Sequence, residues 1–368
     1  MAASEGAGGR REGEATRPRV TRLQILLGLV VALLVAVGFG LLVGRAAGFA
    51  RLLSELRAAN PAWLALCVAG QVTAYAGYTL SLREAVRFEA GPVMSPFATL
   101  RLILAALGAT RIVAAGGAGG LAVVYWSLRQ AGMGPRPAIV RVLAFNTLLY
   151  AVFGALGLAA AAAVLAGVGG DAPSGMALPW VVVVPACALA AAAVASPRTG
   201  GRLAADPVVG GWLRRAFSVA VAGVVTVRRL VASGRPGWLG GIGAVAYWAG
   251  DLTCLWAGVQ SFGIEVSAAE IALVYTTGYV ATLVPLPTGG VGGVDAAMTF
   301  ALNATGVPLA QAVLGVMAYR LFDFWIPTVP ALASLATLPR LGRHLRTSFR
   351  AEAAPEAGVA AVEPTGRR

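Results

Sequence analysis

The chain has 368 residues, 58% of them hydrophobic and only 12% charged, with a mean hydropathy of +0.77. A soluble enzyme needs far more polar surface, so the apolar surplus must face lipid or pack inside a membrane bundle. The formal net charge of +13 does not point to nucleic acid, because the basic residues, all 29 of them arginine, fill gaps between apolar runs and form no stripe or finger pattern.

In chain order, residues 1–22 form an Arg-rich polar tail that reads as disordered. The apolar stretch 23–43 follows, too long for a signal-peptide core and without a convincing cleavage site, so it reads as a retained span. Further spans are expected at 61–82, 138–168, 178–196, 238–262 and 308–338, six in all. Two other apolar regions, 97–130 and 267–304, are each broken at the middle by glycines. The breaks are Gly116-Gly117-Ala118-Gly119-Gly120 and Pro285-Leu286-Pro287-Thr288-Gly289-Gly290-Val291-Gly292-Gly293. Each half is too short to cross alone, which predicts two re-entrant hairpins. The stretch 197–237 holds a short apolar run between Arg214-Arg215 and Arg228-Arg229 and reads as an interfacial linker. Residues 339–368 form a second basic, disordered tail.

The chain repeats itself at an offset of 173 to 175 residues. Pro61-Ala62-Trp63-Leu64 returns as Pro236-Gly237-Trp238-Leu239, GGAGG at 116–120 as GGVGG at 289–293, and 138–150 aligns with 312–324. The predicted unit is span, broken hairpin, span, over 61–168 and again over 236–338, within one domain at 23–338. With the N-terminus placed in the cytoplasm, the cytoplasmic segments hold 23 arginines and the outer segments three, and no Arg occurs from Pro236 to Tyr319. That bias satisfies the positive-inside rule with both termini in the cytoplasm, and the single span 178–196 between the two units makes them inverted copies, the ground plan of many secondary transporters of the cytoplasmic (inner) membrane.

Several groups could carry function. Half-helix N-termini at the tips, with Gly116, Gly117, Gly119 and Gly120 in the first and Gly289, Gly290, Gly292 and Gly293 in the second, offer free N–H groups and a positive dipole end to an anion. The competing reading is that these glycines only permit tight turns and close packing. Arg111, Asp251, Asp295, Arg320 and Asp323 are intramembrane ionisable residues and hence candidates for substrate contact. Arg320 and Asp323, three apart, could simply pair, and Asp295 could simply cap a helix. Asp251 has no sequence-local partner and could serve an ion or proton relay. The aromatics Tyr247, Trp248, Tyr275, Tyr279, Phe322, Phe324 and Trp325 could line a lipid path. Cys67, Cys187 and Cys254 read as small apolar packers, and with His344 the only histidine, neither a metal site nor a Ser-His-Asp triad is expected.

The run PLPTGGVGGVDAAMTFALNATGVPLAQAVLGVMAYRLFDFWIP at 285–327 resembles the transmembrane region of lysylphosphatidylglycerol synthases, a flippase-like, YbhN-like membrane family. The likeness rests on Gly289-Gly290, Asp295, Gly306-Val307-Pro308, Tyr319-Arg320 and Phe324-Trp325-Pro327, and the earlier GGAGGLAVVYWSLRQAG (116–132) resembles the matching first-half motif. The resemblance implies a lipid flippase without the aminoacyl-transferase domain: no enzyme, no cofactor, and a membrane lipid as substrate. That lipid would be an anionic or aminoacylated phospholipid or a polyprenyl-linked glycolipid. The alternative is a non-transporting scaffold for a separate membrane enzyme.

Overall fold

The computed structural model describes residues 60–342, apart from 90, 113–116, 171, 206–210 and 284–291. Every regular element among them is helical. Twelve α-helices run in order: α1 (Pro61–Arg87), α2 (Pro96–Ile112), α3 (Ala118–Gln130), α4 (Pro135–Leu165), α5 (Ser174–Val194), α6 (Gly200–Leu203), α7 (Trp212–Ala232), α8 (Arg235–Gln260), α9 (Ala268–Tyr279), α10 (Gly293–Ala304), α11 (Leu309–Arg320) and α12 (Ile326–Ala336).

Local chemistry sets many of their ends. Asn60 caps α1 by accepting from the Ala62 N–H, and Pro61 stands where no N–H partner is needed. Ser267 and Glu270 form a reciprocal capping box on α9. One π-helical turn, Leu321–Trp325, joins α11 to α12 into a single stretch of 28 residues. Its cause is Pro327, which has no N–H for the carbonyl of Asp323 and whose ring crowds it.

Among the described residues, four helices are long and apolar enough to cross a membrane: α4, α5, α8 and the joined Leu309–Ala336. Six spans were expected. The first, 23–43, lies outside the described residues. The second is present as the 27-residue α1, long enough to cross, but Gln71, Thr73, Thr79, Ser81, Arg83, Glu84 and Arg87 dilute its apolar character. The broken regions appear as short helices, α2 and α3 of 17 and 13 residues and α9 and α10 of 12 each. At 1.5 Å per residue these reach roughly 18 to 26 Å, short of the roughly 30 Å hydrocarbon core. Each pair packs against itself, but the turns at 113–116 and 284–291 lie outside the described residues. The linker contains α7, a single amphipathic helix of 21 residues that packs on α4 with Ser218, Val221, Val225 and Leu230 buried.

The largest helix contact is between α1 and α8. They run antiparallel so closely that glycines carry the crossing: Gly70 faces Gly250, and Gly77 faces Gly243. Adding 173 turns Gly70 into Gly243 and Gly77 into Gly250, so each contact maps onto the other, as a two-fold relation between the repeats requires. Longer-range packing follows the same exchange. The first half-helix α2 packs on α12, the last helix of the second unit, and its counterpart α9 packs on α4, the last helix of the first. Each broken pair therefore leans on the other repeat, and the space between them is where a site can form.

Candidate functional site

Where the repeats meet, a cavity of about 200 Å³ opens among α1, α2, α3, α4, α8 and α9. Its wall mixes aliphatic side chains such as Ile103, Leu107, Val124 and Leu149 with polar and aromatic ones: Tyr75, Tyr78, Asn146, Tyr150, Tyr247 and Tyr279, with Gln71, Trp248, Asp251 and Asp323. Among the described residues no arginine lines it. Tyr78 meets Phe145 and Tyr247 edge-on at centroid distances of 5.0 and 4.8 Å, and Trp248 meets Tyr279 edge-on at 5.3 Å. These contacts fix ring planes that would otherwise be free to turn.

Asp251 forms one side of this wall and is 2% exposed. Three neutral donors converge on it: Gln71 Nε2 on Oδ1 at 2.7 Å, Tyr275 hydroxyl on Oδ2 at 2.6 Å, and Tyr319 hydroxyl on Oδ2 at 3.0 Å. They come from α1, α9 and α11, so the aspartate ties the two repeats together.

Behind the wall sits a buried charge cluster. Arg320 pairs with Asp295 through Nε and with Asp323 through Nη1 at 3.1 Å. Asp295 also accepts from the Gly292 N–H at 3.0 Å, so the N-terminus of α10 is capped by the protein's own carboxylate. Gly292, at φ 87°, adopts the left-handed backbone this cap needs. Arg111 donates to the Thr328 hydroxyl and, at 3.1 Å, to the Asp323 carbonyl left spare by Pro327. Its guanidinium lies 4.3 Å from the centre of the Phe324 ring, and that of Arg320 lies 5.9 Å from the same ring. Two donors, Arg111 Nε and Arg320 Nη2, have no partner among the described residues.

Of the residues singled out in the sequence, Arg111, Asp295, Arg320 and Asp323 fall in one cluster, and Asp251 lies across the cavity. Gly117 begins α3 at φ 85° with no side-chain cap and, with Gly120, lines the cavity. A Cβ on Gly120 would meet Thr110 Oγ1 at 2.5 Å, so it also serves the close approach of α2 and α3. Gly119 is buried in the same turn, and Gly293 opens α10. Gly116, Gly289 and Gly290 lie outside the described residues. Sequence reasoning missed Gln71, Tyr75, Tyr78, Asn146 and Tyr150. The available signal was an amide in the middle of an otherwise apolar span, true of both Gln71 and Asn146.

A second hollow, an apolar groove of about 820 Å³, runs outside the cavity between α1, α2 and the π turn with α12. Val72, Phe97, Phe322 and Ile326 line it, Arg83 stands at one end, and Gln71 and Tyr75 belong to both hollows. The groove is open on the outside of the described bundle, where Val72 is 64% and Phe97 69% exposed.

The profile of a family described as the lysylphosphatidylglycerol synthase TM region matches residues 25–331. The chain belongs to this family. The match takes in the first repeat, the second as far as residue 331, and every residue of the cavity, the groove and the charge cluster, so the site is part of the shared membrane region. No curated protein matches the chain. Membership and the apolar helices together make this a multi-pass membrane protein of the lysylphosphatidylglycerol synthase-like kind.

Proposed function

We propose that the protein moves a lipid across the cytoplasmic membrane, with both termini in the cytoplasm and the two broken helix pairs entering from opposite sides as re-entrant hairpins. One observation supports this reading: a cavity between the repeats that carries Gln71, Asn146, Asp251 and several tyrosines shares its Gln71 and Tyr75 wall with an apolar groove on the outside of the described bundle. A lipid needs both surfaces at once, a wet, hydrogen-bonding place for its headgroup and a greasy flank for its tail. From Val68 to Arg83 the groove follows α1 for roughly 22 Å at 1.5 Å per residue, close to one leaflet's depth plus its interface. Arg83, whose Nε donates to the Met94 carbonyl at 2.9 Å, stands at headgroup level. The headgroup would be an anionic or aminoacylated phosphate ester or a prenyl-linked sugar, carried as the repeats rock about their shared axis.

The test is reconstitution with a headgroup-labelled phosphatidylglycerol, an aminoacylated analogue and a glycosylated prenyl phosphate, following how fast an impermeant quencher reaches inner-leaflet label. Ala76→Trp, which fills the groove from the exposed face of α1, is expected to slow exposure at least about tenfold with unchanged thermal stability. Equal rates in wild type and variant would remove the groove from the path. No protein-dependent exposure with any of the three lipids would defeat transport and leave the scaffold reading.

A further inference from the structure

We propose that Asp251 is the binding site for the coupling ion, a proton, and that lipid movement is driven by its uptake on one side and release on the other. The inference rests on the transport reading above.

The middle of the bundle holds two buried guanidinium groups, Arg111 and Arg320, and three carboxylates, Asp251, Asp295 and Asp323. Arg320 serves Asp295 and Asp323. Asp251 makes no ion pair among the described residues and is left as an uncompensated charge facing a cavity inside a membrane protein. An intramembrane carboxylate in that position is costly and needs a reason.

The hydrogen bonds say which ion the site can take. An ionised carboxylate accepts only, and three donors converge on this one. Donor hydrogens pointing inward repel a metal cation, whereas a proton can bind if one donor gives way. Protonation of Oδ2 places a new O–H where two tyrosine hydroxyls already donate. Either Tyr275 or Tyr319 must then turn from donor to acceptor and send its own hydrogen elsewhere. Charge on the site goes from −1 to 0 and one cross-helix bond is reversed. Because Tyr275 stands on α9 and Tyr319 on α11, the change loosens the tie between α8 and either the second broken pair or the last span, the parts that must shift if the repeats rock.

Among the described residues around the cavity, the one other carboxylate is Asp323, which is paired with Arg320. From α1, Tyr75, Tyr78 and Cys67 face this region. From α4 comes Tyr150, and from α8 itself Tyr247 and Cys254. The remaining groups are Tyr275 and Tyr279 on α9, Tyr319 and Arg320 on α11, and Asp323 on the π turn. Phenols and thiols stay neutral at ordinary pH, and Asp323 is held by Arg320.

Infrared pH-difference spectra of protein in phosphatidylethanolamine–phosphatidylglycerol vesicles test the site without knowledge of the cargo. A carboxylic-acid C=O band should grow as pH falls and be missing in Asp251→Asn, whose Tm reports retained folding. The Tyr275→Phe, Tyr319→Phe double variant removes two bonds to the charged form and should raise the midpoint by about one pH unit or more. Absence of any Asp251-dependent band, or a midpoint unmoved in the double variant, overturns the proposal. In the same vesicles an imposed pH gradient should change label exposure several-fold in wild type and leave Asp251→Asn indifferent. Lipid movement that ignores the gradient overturns coupling while transport stands, and absence of all movement defeats the transport reading beneath it.

Discussion

Gly77→Val is expected to abolish the folded protein or lower its stability by at least about 3 kcal/mol, whereas Gly241→Val on the same pair of helices should change it by less than about 0.5 kcal/mol. A Cβ on Gly77 would land 2.5 Å from the carbonyl oxygen of Gly243 and 2.5 Å from the amide nitrogen of Tyr247, with Ala246 Cβ at 2.8 Å. All three belong to the α8 backbone or its first carbon, so no rotamer can swing clear, and the helices must separate along their whole length. Separation removes the dispersion contacts that, in a bilayer without a hydrophobic drive between helices, hold a pair together. The same move would pull Gln71 from Asp251 and open the cavity. A Cβ on Gly241 meets nothing within 4 Å among the described residues, so its valine has room. Fluorescence-detected size-exclusion chromatography across a heating series reads both variants. If Gly77→Val elutes and melts like Gly241→Val, backbone contact is not what holds the repeats together.

That interface shows how much could be read in advance. The 173-residue offset found in GGAGG and GGVGG is the same offset that relates Gly70 to Gly243 and Gly77 to Gly250, so the repeat was legible before its packing was. Apolar run lengths also marked the half-helices, because a segment that cannot cross has to stop. The site was legible only in part. Asp295 in the first turn after Gly293 could be read as a cap, and Arg320 with Asp323 as an i, i+3 pair, because those contacts are local. The pairing of Arg320 with Asp295 spans 25 residues, and the contacts of Asp251 with Gln71, Tyr319 and Tyr275 span 180, 68 and 24. Side-chain spacing on one helix cannot reveal them. The perch of Arg111 was hidden differently. It depends on a carbonyl that Pro327 frees four residues upstream, a consequence of the Phe-Trp-x-Pro pattern that becomes visible only when another helix supplies the donor. The anion site expected at both tips meets a physical obstacle at one of them, since Asp295 already occupies the N–H of Gly292.

Arg320→Ala should destabilise by about 3–5 kcal/mol, the range for stripping one partner from a buried ion pair. Asp295 is then left 5% exposed with no counter-charge, holding only the Gly292 N–H. Asp323 suffers less, because its side chain is 27% exposed and can take water. Asp295→Asn is expected to be milder: the amide oxygen can still cap α10, and Arg320 keeps Asp323. Combining Asp295→Asn with Arg320→Met should recover much of the loss of Arg320→Met alone, because the one carboxylate left without its arginine, Asp323, is partly exposed and can take water, and an apolar side chain fills the space. The double-mutant cycle, read from thermal unfolding, is thus expected to give a coupling of more than about 1 kcal/mol, and additive costs would show that the two residues do not depend on one another. Arg320→Lys separates charge from geometry. It keeps the cation but has no planar fork to span Asp295 and Asp323 while lying near Phe324, so it should restore only part of the stability. If these variants fold yet move lipid more slowly, the cluster does more than brace α10. Two of its buried guanidinium nitrogens, Arg111 Nε and Arg320 Nη2, have no hydrogen-bond partner among the described residues, and both guanidinium groups lie near the Phe324 ring.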